Sequence, residues 1–400
     1  MKSDIVVIGA GIVGLATAYQ IQKKAPHLSI VVVDKEKKVA AHQTGNNSGV
    51  IHSGLYYRPG SLKALNCING YHLLLEFCQQ YQVPYEICGK VVVATCKEEI
   101  PHLEQLFERG QANGLQGIKK IGYRELKEKE PYVNGVAGIH VPQTGIIDYK
   151  LVCNRLAQVV TQGNCHILMQ HKVEHVHLSN EETIVVTDKK EMTTRLMINC
   201  AGLYSDKIAR QTHPDLEIKI IPFRGEYYKL KEEKKRLVKN LIYPVPDPNF
   251  PFLGVHFTRM INGEVEAGPN AVLAFAREGY KKTTINPSEL IDSLLWPGFQ
   301  KVAKKYWRTG MGEMYRSFSK KAFTAALQKL MPAIRENDLI PGGAGVRAQA
   351  CDKDGGLLDD FSILESKSVI NVVNAPSPAA TSSLSIGDKI ADMAIANLQN

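Results

Sequence analysis

The sequence predicts an α/β protein, and two observations in its first 34 residues support this prediction. Residues 4–14 (DIVVIGAGIVG) form an apolar run that enters a glycine-rich turn, and residues 30–34 (IVVVD) form a second apolar run that ends in an acid. Apolar runs of this length, separated by a helical stretch, are typical of buried parallel strands joined by a helix. The chain therefore begins with a Rossmann-type β-α-β unit.

Three glycines in this unit have separate roles. Gly9 allows the tight turn, Gly11 lets the backbone approach a pyrophosphate, and Gly14 lets the following helix pack closely on the sheet. The N-terminus of that helix favours anions because its first N–H groups have no partner within the helix. Asp34 lies twenty residues after Gly14, where a carboxylate that binds ribose is expected. The sequence predicts a dinucleotide site here, and a glycine-rich turn with nothing bound is the alternative.

A second stretch of small residues, 44–54 (TGNNSGVIHSG), follows the acid. A dehydrogenase that uses nicotinamide has no need of such a loop so soon after the acid. A flavoenzyme does need such a loop, because the flavin ring lies against backbone that carries little side-chain bulk. An ordinary solvated loop has the same composition, so these residues alone leave the choice open.

Apolar spacing and turn residues predict the next elements. Helices are expected over 61–81, over 97–113 before Gly114, and from an Asp148 cap to 162 before Gly163. Strands are expected at 91–95, 166–169, 183–187 and 196–199. The last of these strands runs into the turn Cys200-Ala201-Gly202.

The pattern of apolar and turn-forming residues changes after residue 218. Residues 218–269 predict short strands separated by proline and glycine turns, and hence an antiparallel sheet; 287–330 predict helices, 369–374 a strand and 383–398 a closing helix. We expect a discontinuous dinucleotide-binding domain with an inserted α+β substrate domain. The first would comprise 1–85, 142–215 and 335–400, and the second 86–141 and 216–334.

Length, charge and cysteine content narrow the functional classes. The 400 residues exceed one comfortable domain, and the net charge of +9 arises from 49 basic and 40 acidic residues dispersed along the chain. No array of arginine and aromatic residues predicts nucleic-acid binding. The basic surface instead favours steering of an anionic substrate or peripheral attraction to anionic lipid.

The cysteines and the N-terminus predict the compartment. The eight cysteines form neither a CxxC pair nor a cluster at metal-ligand spacing, so we expect buried thiols and no metal. The predicted first strand begins by Asp4, which leaves no room for a secretion signal, and no apolar run reaches the length of a membrane span. We expect a cytoplasmic protein that can lie peripherally on the inner face of the membrane.

Seven segments spread over the chain resemble L-2-hydroxyglutarate dehydrogenases and oxidases, which belong to the D-amino-acid oxidase and glycine oxidase superfamily. The segments are 42–57 (HQTGNNSGVIHSGLYY), 222–227 (PFRGEY), 243–248 (YPVPDP), 251–256 (PFLGVH), 268–271 (GPNA), 345–349 (GVRAQ) and 374–382 (NAPSPAATS). This resemblance implies a Rossmann-type fold that binds FAD. It also implies that 374–382 leads into a helix whose N-terminus faces the flavin pyrimidine.

The resemblance implies a set of FAD-binding residues. They are Gly9, Gly11, Gly14, Asp34, Thr44, Asn47, Ser48, Gly49, Val173, Gly202, Asn374, Pro376, Ser377, Ala379, Ala380 and Thr381. Gly202 corresponds to a glycine near the adenosine end of the cofactor in the superfamily.

Two histidines are candidates for the general base. The resemblance places His52 close to the reactive face of the flavin, and an imidazole with a pKa near 6.5 suits proton removal. The alternative is a histidine that only hydrogen-bonds loop backbone or flavin. His256 lies on a predicted strand and shares a face with Thr258, opposite Arg259. It is a candidate base or substrate ligand, and a structural role is its alternative.

Arg347 is the predicted carboxylate clamp. Residues 345–355 resemble the Leu-Arg-Pro…Asp-Gly segment of glycine oxidase, although Ala348 replaces the proline. A guanidinium binds a carboxylate through two parallel N–H bonds and thereby orients the substrate. A salt bridge to an acidic neighbour is the alternative.

A dicarboxylate needs a second polar pocket. The candidates for it are Arg224, Tyr227, Tyr228, Arg259 and Arg58, with Arg224 preferred because 222–226 resembles the family. Glu226 is the competing partner for Arg224.

The resemblance implies oxidation of L-2-hydroxyglutarate to 2-oxoglutarate, with hydride transfer from C2 to flavin N5 and electrons passed to a membrane quinone or to oxygen. Oxidation of an amino acid, sarcosine or glycerol 3-phosphate by the same superfamily is the alternative. A flavin-binding component of a tRNA-modifying assembly is a further one, which the dispersed charges disfavour.

Overall fold

The computed structural model describes residues 1–179, 182–247 and 253–399. The motif residues 248, 251 and 252 lie outside these ranges. The strands are β1 (Lys2–Ile8), β2 (Ile30–Asp34), β3 (Val50–Ile51), β4 (Tyr85–Glu86), β5 (Lys90–Ala94), β6 (Lys119–Gly122), β7 (Ala137–Val141), β8 (Gly145–Ile147), β9 (Cys165–Met169), β10 (Val173–Leu178), β11 (Thr183–Thr187), β12 (Glu191–Asn199), β13 (Ile218–Leu230), β14 (Leu241–Pro244), β15 (His256–Arg259), β16 (Val265–Gly268), β17 (Val272–Leu273), β18 (Leu339–Asp352), β19 (Ser362–Ser366) and β20 (Val369–Asn374). The helices are α1 (Ile12–Lys24), α2 (Leu62–Gln80), α3 (Ile100–Ala112), α4 (Tyr123–Lys129), α5 (Tyr149–Thr161), α6 (Ser205–Thr212), α7 (Pro287–Leu294), α8 (Pro297–Phe318), α9 (Lys320–Gln328) and α10 (Ala379–Gln399).

An eight-stranded sheet carries the opening β-α-β unit. Six strands follow the order β10-β11-β12-β1-β2-β9, and β20 pairs with both β12 and β19. β1 runs parallel to β12 and β2, and β2 runs parallel to β9. The predicted apolar runs are buried on this sheet, with Ile5, Val7 and Val32 fully enclosed.

The C-terminal helix α10 packs against the N-terminal part of the chain. Gln20 Nε2 on α1 donates a hydrogen bond to Leu384 O at 3.0 Å. A Cβ added to Gly387 would lie 2.7 Å from the backbone of Ala16, so glycine is needed for this close approach. α10 thus closes the first sheet from the opposite end of the sequence.

A nine-stranded, largely antiparallel sheet forms the second layer of strands. Its order is β17-β13-β16-β15-β14-β5-β7-β6, and β18 pairs with β13. Phe257, Phe323 and Leu327 are fully buried in the core on this sheet. A third, smaller sheet has three strands in the order β3-β8-β4.

Two details of the second sheet differ from the sequence prediction. Residues 218–230 form one strand of thirteen residues instead of short pieces, because β18 pairs with β13 from Ile218 to Leu230. The predicted boundary at 335 assigned β18 to the dinucleotide-binding domain, but this strand belongs to the second sheet. Its glycine-rich composition hid its strand character from the sequence pattern.

The predicted helices and strands elsewhere lie close to the observed ones, with local exceptions. The final helix begins at Ala379 rather than near Ser383. Besides β18, several observed elements have no counterpart in the prediction, namely β3, β4, β6, β7, β8, β10, β17, β19, α4 and α6. The helix predicted over 97–113 begins with a 3₁₀ turn at 97–99. No helix in the described ranges is both long and apolar enough to cross a membrane.

Candidate active site

A cavity of about 1130 Å³ lies at the carboxyl ends of three neighbouring parallel strands. Gly9 follows β1, Asp34 ends β2, and Gly202 follows β12, and all three line the cavity. Ligands of open α/β sheets bind at this edge, where strand order changes direction. The volume exceeds the roughly 300–1,000 Å³ of sites for drug-sized ligands, which leaves room for a dinucleotide.

The first turn has the geometry that its glycines predict. Gly9 adopts a positive φ of 110°, and a Cβ there would lie 2.4 Å from Cys200 O. A Cβ on Gly14 would lie 2.0 Å from Gly9 O, so this glycine allows the turn and α1 to approach. Gly11 is the N-cap of α1 without a capping side chain of its own, and Thr44 Oγ1 accepts a hydrogen bond from Ile12 N at 3.1 Å.

Asp34 and the loop after it shape the same end of the cavity. Asp34 Oδ2 accepts from Ala10 N at 2.8 Å, and Oδ1 accepts from Glu36 N at 2.9 Å. In the loop, Asn47 Nδ2 donates to Thr44 O at 2.7 Å and its Oδ1 accepts from Gly49 N at 2.9 Å. These hydrogen bonds of the Asn47 side chain hold the loop in one conformation along the cavity wall.

The N-terminus of α10 lies on the opposite wall. Ala379, Ala380 and Thr381 line the cavity in the first turn of this 21-residue helix. The partial positive charge at a helix N-terminus stabilises a negative charge that lies close to it. Thr381 Oγ1 accepts from His52 N at 3.1 Å and contacts Tyr149 Oη at 2.9 Å.

His52 and His256 approach this region from different elements. His52 follows β3 and its imidazole lines the cavity, whereas His256 begins β15 and is buried. Burial, and after it the charge of Lys90, lower the pKa of His52 to about 3. Burial lowers the pKa of His256 to about 4, although the hydrogen bond to Gly254 O opposes this shift.

The tautomer of His256 follows from its contacts. Its Nδ1 lies 2.9 Å from Gly254 O, which can only accept a hydrogen bond, so Nδ1 carries the proton in the neutral ring. Nε2 then has a free lone pair. The ring lies on that of Tyr243 with the centroids 4.0 Å apart.

Lys90, the first residue of β5, is only 2% exposed. Its Nζ lies 4.5 Å from the ring centroid of Tyr56 and 5.0 Å from that of Tyr243. Burial lowers the pKa of this ammonium to about 7, and within the described ranges no hydrogen bond or ion pair to a carboxylate offsets the burial. Lys90 also lowers the pKa of both histidines, which places its charge beside them.

Arg347 reaches the cavity from β18, where it pairs with Phe223 of β13. Its charge acts on the pKa of His52, His256 and Tyr227. Tyr227 lines the cavity as well, and burial raises the pKa of its phenol to about 12. Arg347, His52 and Tyr227 therefore line this end of the cavity. Lys90 and His256 are not among the lining residues, but their charges act on the pKa of His52.

A family model described as FAD dependent oxidoreductase matches residues 4–393. The chain belongs to this family. It is 62% identical to an L-2-hydroxyglutarate dehydrogenase of Indibacter alkaliphilus over 99% of both chains. It is 45% identical to the human mitochondrial L-2-hydroxyglutarate dehydrogenase, over 97% of this chain and 88% of that one.

The fold is that of a solved flavoenzyme. The dithionite-reduced L-α-glycerophosphate oxidase of Mycoplasma pneumoniae, with FAD bound, superposes with a TM-score of 0.81 at 23% identity, over 100% of this chain and 95% of that one. The predicted fold class and family are confirmed, and FAD is the cofactor of this oxidoreductase. The glycine turn, the room at the strand ends and the α10 N-terminus fit a flavin dinucleotide.

Most of the predicted FAD-binding residues line the cavity, and three do not. Those that line it are Gly9, Gly11, Asp34, Thr44, Asn47, Ser48, Val173, Gly202, Pro376, Ser377, Ala379, Ala380 and Thr381. Gly14 and Gly49 lie behind it, against Gly9 O and Ile147 O. The predicted FAD contact of Asn374 is corrected, because its buried side-chain amide donates to Leu358 O and Asp360 O and so fixes a neighbouring loop.

Three residues that the sequence predicted to bind substrate lie away from the cavity, which corrects that prediction. Arg224 is 2% exposed and its Nε donates to Glu226 Oε1 at 2.9 Å, so the competing partner holds it. Arg259 pairs with Glu86 at 2.9 Å, and the Tyr228 ring packs on Phe323. None of the three lines the cavity, and exposed Arg58 does not line it either.

Two lysines near the site escaped the sequence prediction. Lys63 lines the cavity, pairs with Asp359 at 2.6 Å and lies 5.1 Å from the Tyr57 ring centroid. Lys90 resembles a solvated strand end when considered alone. The apolar run VVVA after Lys90 could have indicated its burial, because all five residues of this strand are buried.

Proposed function

We propose that this oxidoreductase converts L-2-hydroxyglutarate to 2-oxoglutarate. The observation that carries the proposal is that Arg347 and His52 line the FAD cavity, while Lys90 and His256, which both contact the Tyr243 ring, lie close enough to His52 to act on its pKa. Two cations suit two carboxylates, and an imidazole suits a hydroxyl proton. The near full-length similarity to L-2-hydroxyglutarate dehydrogenases supports the same substrate. FAD, when bound, supplies the acceptor for the C2 hydride.

Arg347 would bind the carboxylate next to C2. Its guanidinium reaches the cavity from a strand paired along its whole length with β13, which fixes its position. A planar guanidinium can hold a carboxylate through two parallel hydrogen bonds and so orient the C2 hydrogen. Positioning of this kind is a large part of what an enzyme supplies to a hydride transfer.

Lys90 would bind the distal carboxylate. Its ammonium is buried between two tyrosine rings, and a carboxylate brought by the substrate would offset the cost of that burial. Tyr227, whose phenol stays protonated, can donate a further hydrogen bond. This pocket replaces the one that the sequence suggested around Arg224.

His52 would remove the hydroxyl proton. It lines the cavity, and the bond from its backbone N–H to Thr381 fixes it beside the N-terminus of α10. Its lowered pKa keeps the ring neutral and able to accept a proton at pH 7. A bound dicarboxylate would raise that pKa by opposing the nearby cations. His256, with Nε2 unprotonated, would accept a hydrogen bond or serve as the second candidate base.

The two large sheets suggest a division of labour. We assign FAD binding to the sheet that contains β1, β2 and β12, and substrate binding to the sheet that contains β5, β15 and β18. The substrate domain thereby includes β18, which carries Arg347. A membrane quinone or oxygen would reoxidise the flavin, and contact with the membrane would be peripheral.

Anaerobic titration tests the proposal. L-2-hydroxyglutarate should bleach the flavin absorbance of the purified enzyme, whereas D-2-hydroxyglutarate, glycine, sarcosine and glycerol 3-phosphate should not. The His52→Ala variant should retain FAD and bleach about 10²- to 10⁴-fold more slowly. Oxygen and a short-chain quinone, added separately, would identify the acceptor. Bleaching by an amino acid or by glycerol 3-phosphate in preference would refute the substrate assignment.

A further inference from the structure

Exposed apolar side chains are concentrated in one short part of the chain. Of the eighteen large hydrophobic side chains that are exposed in the described ranges, eight fall within residues 285–318. Four of these lie on α8, namely Trp307 (59% exposed), Met311 (65%), Tyr315 (67%) and Phe318 (69%). Contiguous exposed apolar surface of this kind marks an interaction site.

The four α8 residues share one face of the helix. They follow one another at intervals of four, four and three residues, which places them along a single stripe. The helix departs from helical geometry at Tyr306, before the stripe begins. We call these four side chains the α8 face.

The helix is held from its other side. Val302 is buried in a small apolar cluster, and Ser317 Oγ donates a hydrogen bond to Glu226 at 2.8 Å. Glu313, 4% exposed, accepts from Ala271 N at 3.0 Å. Because these contacts fix the rotation of α8, the apolar stripe points away from the rest of the protein.

The surroundings of the α8 face are strongly basic. Residues 297–321 contain seven lysines and arginines and one acid, Glu313, which is buried. Lys304, Lys305 and Arg308 have no ion-pair partner among the residues that the structure describes. Arg308 lies over the Trp307 ring, 5.4 Å from its centroid.

We infer that the α8 face inserts into the interface of an anionic lipid bilayer. Tryptophan and tyrosine favour the level of lipid headgroups, and a basic rim next to an apolar face is attracted to anionic lipid. A protein partner is a poorer match, because lysine is depleted at protein interfaces. The inference extends the proposed function, in which a membrane quinone is one of two acceptors, and locates the surface that would meet it.

Vesicle binding tests the inference without using a membrane acceptor. The FAD-loaded enzyme should cosediment with vesicles of phosphatidylglycerol and phosphatidylcholine, and much less with phosphatidylcholine alone. A triple variant, Trp307→Ser, Met311→Ser and Phe318→Ser, should bind roughly tenfold or more weakly. The control variant, Tyr123→Ser, Leu151→Ser and Leu178→Ser, removes exposed apolar side chains elsewhere and should bind like wild type.

Charge and fluorescence give two further measurements. Neutralising Lys304, Lys305 and Arg308 to glutamine should weaken binding on the order of a hundredfold, at about 1 kcal/mol for each charge. The chain has two tryptophans, and Trp296 Nε1 donates to Cys351 O at 3.1 Å. A blue shift of the emission on adding anionic vesicles should therefore disappear in Trp307→Phe.

Separate outcomes distinguish this inference from the proposed function. All variants should oxidise L-2-hydroxyglutarate at the wild-type rate with a soluble dye as acceptor. Loss of that activity in wild type would count against the proposed function and leave vesicle binding to be judged by itself. Equal vesicle binding by wild type and the serine variant would overturn the inference. So would a concentration-dependent dimer that the serine variant abolishes and vesicles do not disrupt.

Discussion

Three buried cations in this protein differ in what surrounds them. Arg277 is 1% exposed, and its Nη2 donates a hydrogen bond to Asp206 Oδ2 at 2.8 Å. Arg224 is likewise held by Glu226 at 2.9 Å. Lys90 is as deeply buried, yet the described residues offer it two aromatic rings and no carboxylate. The protein supplies the counter-ion for the two arginines, and under our proposal the substrate supplies that of Lys90.

This difference separates structural charges from functional ones. A buried ion pair that is complete within the chain resists the loss of either partner, since the remaining charge is left uncompensated. A buried cation without a counter-ion costs stability until an anion arrives. We propose that a bound dicarboxylate offsets the unfavourable burial of Lys90, and four experiments can test this contrast between the cations.

The largest effect is expected from breaking the complete pair. Asp206→Ala should lower the free energy of unfolding by about 3–5 kcal/mol, because Arg277 stays buried and keeps, among the described residues, only a longer ion pair with Asp292 at 3.8 Å. Chemical denaturation followed by circular dichroism measures this loss. The double variant with Arg277→Met should recover part of the stability. If Asp206→Ala unfolds like wild type, the pair is not the structural element that its geometry indicates.

Arg347→Met should weaken substrate use without releasing the cofactor. The value of kcat/KM for L-2-hydroxyglutarate should fall about 10²- to 10³-fold, because a charged and oriented contact is lost. The FAD content, measured by flavin absorbance, should stay at one FAD per chain. Arg259→Met is the matched control, since Arg259 pairs with Glu86 away from the cavity, and it should change kcat/KM less than about twofold. Similar kinetics for the two variants would place the clamp elsewhere.

Lys90→Met should affect activity and stability in opposite directions. For L-2-hydroxyglutarate, kcat/KM should fall roughly 10- to 100-fold, whereas a hydroxy acid with one carboxylate, L-2-hydroxybutyrate, should be used about as well as by wild type. The free energy of unfolding of the substrate-free enzyme should rise, because a buried charge is removed. A stability loss like that of Asp206→Ala would contradict the contrast between the two kinds of cation.

The last test concerns the dependence of stability and activity on pH. Burial lowers the pKa of Lys90 from 10.5 to about 7, so between these values the unfolded chain binds the proton and the folded chain does not. The contribution of Lys90 to stability therefore increases as pH rises from 7 to 10.5. Activity should change the other way, with kcat/KM for the dicarboxylate falling above pH 7 as the cation is lost. A flat difference between wild type and Lys90→Met across this range would refute the titration.

The cofactor half of the site was accessible from sequence because backbone geometry defines it. Gly9, Gly14 and Asp34 act through a turn, a close packing contact and accepted N–H bonds within one β-α-β unit. Local sequence spacing determines such features directly. The family resemblance added the α10 terminus, where Ala379 and Thr381 line the cavity.

The proposed substrate half was harder to predict because it comprises side chains from distant strands. Lys90, His256 and Arg347 come from β5, β15 and β18, which are distant in sequence and lie in one sheet. Arg224 matched a family motif equally well, but its orientation toward Glu226 depends on tertiary packing. Sequence identifies which cations exist, while register and packing decide which of them meet a ligand.

The contact between His52 and Thr381 has a consequence for synthesis of the chain. These residues are separated by 329 positions, and α10 covers α1 only after the last segment has emerged from the ribosome. At about 5–20 residues per second, the glycine turn exists for tens of seconds before its opposite wall is made. The cavity is therefore complete only after α10 has been synthesised, and a nascent chain stalled before α10 holds an unfinished cavity.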